Sequence, residues 1–81
     1  IIIKNLTIKE FYSGIYLLKS THIKITNVST YSNRFGIYLY GSNNNIITNV
    51  KTYKNNFGIY LLKSNYNKIT DTETYCNSRC G

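Results

Sequence analysis

The chain has 81 residues and a net charge of +7, from ten Lys and Arg against three acids, and it lacks Pro, Trp, Met and Ala. That is room for one small domain with a modest core. The β-branched and aromatic residues favour strands over helices, and no apolar run approaches the ~20 residues of a membrane-spanning helix. The positive excess suits anionic partners such as acidic glycans, phosphate polymers or lipid head groups, and it equally keeps a repeated surface soluble.

In chain order, residues 1–9 (IIIKNLTIK) are apolar and strand-like. The sequence opens on Ile without a signal-peptide pattern, as expected of a mature product or a piece of something longer. From Gly14 the chain reads GIYLLKSTHIKITNVSTYSNRF, from Gly36 GIYLYGSNNNIITNVKTYKNNF, and from Gly58 GIYLLKSNYNKITDTETYCNSR. The three glycines thus recur at one fixed interval, and a period of this size points to a solenoid or another array.

Each unit carries two segments of strand periodicity, too short for helices. The first is Ile15-Tyr16-Leu17, repeated as Ile37-Tyr38-Leu39 and Ile59-Tyr60-Leu61; the second runs from Ile23 to Val28, with counterparts from Ile46 to Val50 and from Lys68 to Thr72. Turn residues lie between them. The start of the chain continues this register backwards, with Ile3 falling one period before Ile25 and Leu6 one period before Val28. The chain therefore holds between three and four units: a partial coil 1–13, coils 14–35, 36–57 and 58–79, and a C-terminal end at 80–81.

The expected fold is an all-β, single-stranded parallel β-helix, in which coils stack at ~4.8 Å and like residues form columns. Inward columns are expected at Ile15/Ile37/Ile59, Leu17/Leu39/Leu61, Ile25/Ile47/Ile69 and Val28/Val50, the last broken by Thr72. Gly14, Gly36 and Gly58 mark a bend or close packing that excludes a Cβ. Asn33, Asn55 and Asn77 are expected to bond to one another up a ladder. Ser20, Ser42 and Ser64 are placed to bond turn backbone, and Phe35 and Phe57 to cap a corner of the core.

The pattern GIYLxxSxxNxITNxxxYxN resembles the repeats of the NosD-like and CASH-type proteins, the second name denoting carbohydrate-binding proteins and sugar hydrolases. The resemblance covers almost the whole chain and implies a right-handed β-helix. It also implies extracytoplasmic or cell-surface placement. Its activities are varied: polysaccharide lyases and hydrolases, epimerases, adhesins, and a periplasmic protein linked to copper-site maturation.

Residues that carry chemistry are sparse. Asp71 and Glu73, two apart on a strand, mimic a catalytic pair; they also read as a solvated face, since Asp71 takes the register of Asn27 and Asn49, and Glu73 that of Lys51. Glu10 stands alone. His22 sits in a variable turn, and a metal set is not expected from it. Cys76 and Cys80, four apart, suit a local disulfide or two thiols better than a metal or haem. No cofactor, no nucleic-acid motif and no catalytic residue is expected.

The better lead is the tyrosines. Tyr16/Tyr38/Tyr60 and Tyr31/Tyr53/Tyr75 are expected as two outward ladders, offering ring faces to sugars, with Lys19, Lys63, Lys24 and Lys68 suiting acidic ones. Columns Thr26/Thr48/Thr70 and Thr30/Thr52/Thr74 make a poor ordered-water surface, because other side chains intervene. Strand edges at the ends of the solenoid invite further coils or identical chains stacking end to end into a filament. The sequence thus reads as a structural, cell-surface or extracellular scaffold with glycan contact. The alternative is a non-catalytic fragment of a polysaccharide lyase or hydrolase whose carboxylates lie outside these residues.

Overall fold

A computed structural model describes residues 1–10 and 12–79. Among them there is no helix, and the strands in order are β1 (Ile2–Lys9), β2 (Ser13–Leu18), β3 (Lys24–Tyr31), β4 (Phe35–Tyr40), β5 (Ile46–Tyr53), β6 (Phe57–Leu62), β7 (Lys68–Thr70) and β8 (Glu73–Tyr75). One sheet runs β1-β3-β5-β7, with β8 also on β5, and the other runs β2-β4-β6. All pairings are parallel and join residues one period apart, such as Ile3 with Ile25, Ile25 with Ile47, and Ile15 with Ile37. Gly36 falls in β4, one period after Gly14 in β2 and one before Gly58 in β6, so the three glycines do line up along the stack. This is a parallel β-solenoid with about 22 residues per coil.

The second strand of each unit is longer than its apolar alternation suggests: β3 and β5 continue to Tyr31 and Tyr53. They continue past residues in the left-handed region, since Asn27 has φ 53° and Asn49 φ 52°, and both are skipped in the pairing. Asn is among the few residues that tolerate this conformation, so each long strand turns a corner without leaving its sheet. Three further left-handed columns bend the coil: Glu10/Ser32/Lys54/Cys76, Lys19/Gly41/Lys63 and His22/Asn44/Tyr66. Asp71 belongs to the Asn27/Asn49 column with φ 47°. Asp71 and Glu73 therefore do not share a regular strand face, and the expected mimicry of a catalytic pair is lost to that bend.

The interior is built from the expected columns. Ile25, Ile37, Leu39 and Ile47 are fully buried, with Val28, Val50, Ile15 and Leu17 beside them. In the last coil Ile69 is 41% and Leu61 36% exposed. Each inward aliphatic side chain contributes about 1.5–3 kcal/mol when fully buried, so the central coils carry most of the apolar stabilisation.

Polar columns complete the interior, by a different chemistry from the side-chain ladder expected. The asparagines bond backbone. The Asn33 N–H donates to Asn55 Oδ1 at 2.9 Å, and Asn55 Nδ2 donates to the Thr30 carbonyl at 3.0 Å. Asn55 N–H donates in turn to Asn77 Oδ1 at 3.1 Å. A second column bonds backbone in the same way and adds one side-chain rung: Ile23 N–H donates to Asn45 Oδ1 at 2.9 Å, Asn45 Nδ2 to the Ser20 carbonyl and to Asn67 Oδ1, both at 3.1 Å, and Asn45 N–H to Asn67 Oδ1 at 2.9 Å. Ser42 and Ser64 accept from the Ser20 and Ser42 N–H groups, both at 3.0 Å, while each hydroxyl donates to a carbonyl two residues back. At bends the backbone leaves the sheet ladder, and these side chains replace the lost partners.

Thr30 and Thr52 lie inside the coil, fully buried, and their Oγ1 atoms have no hydrogen-bond partner. This removes the Thr30/Thr52 column from the surface and with it the geometry of a water-ordering face. Valine has the same shape without the hydroxyl. Thr52→Val is expected to raise stability by about 1 kcal/mol, since an unsatisfied buried hydroxyl costs about 1–3 kcal/mol. A higher urea midpoint with an unchanged slope is the measurement.

Phe35 and Phe57 do not cap the core. Phe35 stacks on Phe57 (5.1 Å) and meets Tyr38 (4.8 Å), Tyr60 (5.3 Å) and Tyr12 (5.5 Å) outside the barrel of aliphatic residues. The glycine between Phe35 and Ile37 lets one strand place Phe35 outward and Ile37 inward: Gly36 is skipped in the pairing and turned towards Thr30.

Candidate functional site: two tyrosine ladders

The two ladders form as expected but differ in geometry. Tyr31 and Tyr53 lie 5.0 Å apart at 13°, and Tyr53 and Tyr75 5.2 Å apart at 6°. The β5 register puts Tyr31, Tyr53 and Tyr75 in one column. Near-parallel rings one coil apart turn their faces to one another. Solvent meets their edges and hydroxyls, so a sugar has a hydroxyl rim to bond rather than open faces to stack on. Lys9, the first residue of this column, holds its Nζ 5.8 Å over the Tyr31 ring, closing the lower face by cation–π attraction. Lys51 lies on the same outward side two residues before Tyr53, paired in register with Glu73, and Lys54 follows at the corner.

The second ladder is less regular. Tyr16 and Tyr38 are 4.9 Å apart at 30°, and Tyr38 and Tyr60 5.0 Å apart at 59°. It merges with Phe35 and Phe57 into an aromatic face on the β2-β4-β6 sheet. Arg34 places its guanidinium 5.4 Å over Tyr12 and 5.8 Å over Phe35. Sequence reasoning missed Tyr12, Arg34 and the two phenylalanines as members of this face. The column Tyr12/Arg34/Asn56/Ser78 shows no repeating chemistry to flag it.

Burial among these rings raises the Tyr38 phenol above its ordinary range, and the neighbouring Tyr16, Tyr60 and Tyr40 phenolates add to this. The fold thus favours neutral Tyr38. Its contribution is complete below pH ~10, the ordinary tyrosine value, and is lost as pH rises through the raised value. In an alkaline titration followed by tyrosinate absorbance, Tyr38→Phe should remove a component that titrates above the ordinary tyrosine value.

The remaining candidates stay apart. His22 is exposed at its corner, and Cys76 is an exposed free thiol at another. The Cys76–Cys80 pairing falls outside the described residues at Cys80. Glu10 lies three coils from the level of Asp71 and Glu73, about 14 Å along the axis. Among the described residues the surface encloses no pocket.

A parallel coil of fixed period, internal asparagine columns and external aromatic ladders define a β-solenoid repeat module. The family model described as periplasmic copper-binding protein (NosD) matches residues 1–81, and the chain belongs to the NosD family. No curated protein matched the chain, and no solved structure did. The family's description puts the module, in coarse terms, on the extracytoplasmic side.

Among the described residues the copper in that description finds no fitting ligand set. Copper sites draw on His, Cys and Met. The sequence has one His and no Met. His22 and Cys76 occupy different corner columns, with Cys76 two coils above its column mate Ser32, about 10 Å along the axis. No three His, Cys, Asp or Glu side chains gather among the described residues.

Proposed function

We propose that the chain is a non-catalytic, rigid β-solenoid scaffold outside the cytoplasm that meets acidic glycans along the Tyr31/Tyr53/Tyr75 edge. The observation carrying this reading is the Lys9–Tyr31–Tyr53–Tyr75 column, a row of phenol edges at coil spacing with Lys51 and Lys54 alongside. Phenol hydroxyls bond sugar hydroxyls, and the lysines attract carboxylates or sulfates. With no pocket among the described residues, the contact is electrostatic and sequence-tolerant rather than a fitted subsite.

Affinity electrophoresis through gels containing polygalacturonate, with dextran as the neutral control, tests this. The chain should be retarded by the acidic polymer alone, and Tyr53→Ala with Lys51→Ser should abolish most of the retardation. Equal migration of variant and parent would refute glycan contact at this edge. Release of new chain ends from the polymer would refute the non-catalytic reading.

The end faces support coil-on-coil partners, either further coils or an identical chain. Ile69 and Leu61 are part-exposed where their column mates Ile47 and Leu39 are fully buried. Sedimentation over a range of concentrations reads this directly: growth into long species whose fibres diffract near ~4.8 Å is the expected result, and a concentration-independent monomer excludes self-stacking.

A further inference from the structure

We propose that the outer face of the β2-β4-β6 sheet docks on an anionic lipid surface. Its outward columns are Phe35/Phe57, Tyr16/Tyr38/Tyr60 and Leu18/Tyr40/Leu62. Phe35 is packed beneath Tyr12, Tyr38 and Tyr60 as the base of the face. Leu18 is 53% and Tyr16 51% exposed. Polar residues would serve a solvated sheet face as well, as they do on the other sheet, where Lys24, Thr26 and Ser29 point outward. Contiguous apolar faces of this kind mark interaction surfaces.

The margins of the face are cationic. Lys19 and Lys63 leave it at the corner directly after Leu18 and Leu62, and Arg34 and Arg79 lie at the opposite margin; all four are exposed. No carboxylate lies on β2, β4 or β6, and the three acids of the chain are Glu10, Asp71 and Glu73. A flat aromatic and leucine face framed by Lys and Arg matches the boundary between acyl chains and anionic head groups: Tyr sits at that boundary, Leu enters it, and the cations meet phosphates.

The same features disfavour other occupants. A second copy placed face to face would set these cations against their equals, on chains of charge +7 each. A polysaccharide would press hydroxyls against the leucines, which return no hydrogen bond. The lipid face and the Tyr31/Tyr53/Tyr75 edge belong to different sheets, so either can fail without the other.

Vesicle flotation tests the proposal with phosphatidylglycerol–phosphatidylcholine vesicles against phosphatidylcholine alone. Because any strongly basic chain is drawn to anionic lipid, the deciding comparison is between variants of equal charge. Binding to the anionic vesicles should fall at least tenfold in Tyr16→Ser with Leu18→Ser, and several-fold in Lys19→Ser with Lys63→Ser. It should change little in Lys24→Ser with Lys68→Ser on the other sheet. Leu18→Trp supplies a second reading that keeps the apolar face: its emission should shift to the blue with anionic vesicles, and that of Lys24→Trp should not. Equal losses from the two lysine pairs, with no loss from Tyr16→Ser and Leu18→Ser, would reduce the effect to diffuse charge and overturn the proposal. So would an unshifted Leu18→Trp. Binding of polygalacturonate through Tyr16 and Leu18 without vesicle binding would make the face a glycan surface instead.

Discussion

Asn45→Ala should destabilise the chain by about 2–5 kcal/mol. Asn45 is buried and its amide does two jobs at one bend. Oδ1 accepts from the Ile23 N–H at 2.9 Å, and Nδ2 donates to the Ser20 carbonyl at 3.1 Å and to Asn67 Oδ1 at 3.1 Å. Alanine leaves the Ile23 N–H and the Ser20 carbonyl inside the coil without partners, at about 1–3 kcal/mol each. Total stability of a small domain is about 5–15 kcal/mol, so urea unfolding should move far or be lost.

Asn45→Asp separates hydrogen bonding from volume. The carboxylate keeps the acceptor for Ile23 and replaces the donor with an oxygen facing two others. A buried carboxylate held above its ordinary pKa of ~3.9 contributes its stability below that value and loses it as pH rises through the raised one. Asn45→Asp should therefore be worse than Asn45→Ala at neutral pH and recover in acid. The control is Asn27→Gly. Asn27 is exposed, its amide bonds only Asn5 and Asn49 in an outer ladder, and glycine accepts its φ of 53°. That substitution should cost under ~1 kcal/mol. Equal effects at Asn45 and Asn27 would mean that the inner asparagines do not supply backbone partners.

What the sequence discloses follows from which forces repeat. Aliphatic columns were legible because burial is demanded at every coil, so Ile15, Ile37 and Ile59 recur. The Asn45/Asn67 column was legible only as the recurring N of the repeat pattern; its bonds to backbone were not, because Ile23 stands one coil earlier and makes the position look apolar there. Ile23 contributes only the backbone N–H that Asn45 Oδ1 receives, a role that no periodicity reveals. Likewise Lys19, Gly41 and Lys63 share a left-handed corner, yet lysine carries no signal for that conformation. The tyrosine columns were legible as columns. Their ring planes were not, because stacking angle depends on side-chain packing: Tyr31, Tyr53 and Tyr75 are alone on their column with Lys9, whereas Tyr38 and Tyr60 share space with Phe35 and Phe57. The phenylalanines were misplaced for the same reason that the glycines matter, since Gly36 resets the inward–outward alternation between Phe35 and Ile37.

Gly36→Ala is expected to cost at least about 3 kcal/mol or to prevent folding. A Cβ at Gly36 would overlap the Gly58 carbonyl oxygen of the next coil, and would come within 2.7 Å of Thr30 Oγ1 and 3.0 Å of Asn55 Nδ2. The carbonyl is backbone, held at coil spacing by the ladders on both sides, so it cannot withdraw without parting β4 from β6. Overpacking of a tight core typically costs about 1–3 kcal/mol when side chains can give way, and a fixed backbone atom puts this case at or beyond the upper end. Gly41 provides the contrast. It needs glycine for its φ of 58°, while its nearest neighbour to a Cβ is Lys19 Cγ at 3.6 Å, an ordinary contact. Gly41→Ala should cost about 1–2 kcal/mol, the strain of a left-handed residue, and Gly41→Asn less. Adding Thr30→Ala to Gly36→Ala should restore little, because it clears the hydroxyl and leaves the carbonyl. If Gly36→Ala melts within a few degrees of Gly41→Ala, or if Thr30→Ala rescues it, the coils do not approach as closely as the strand register requires.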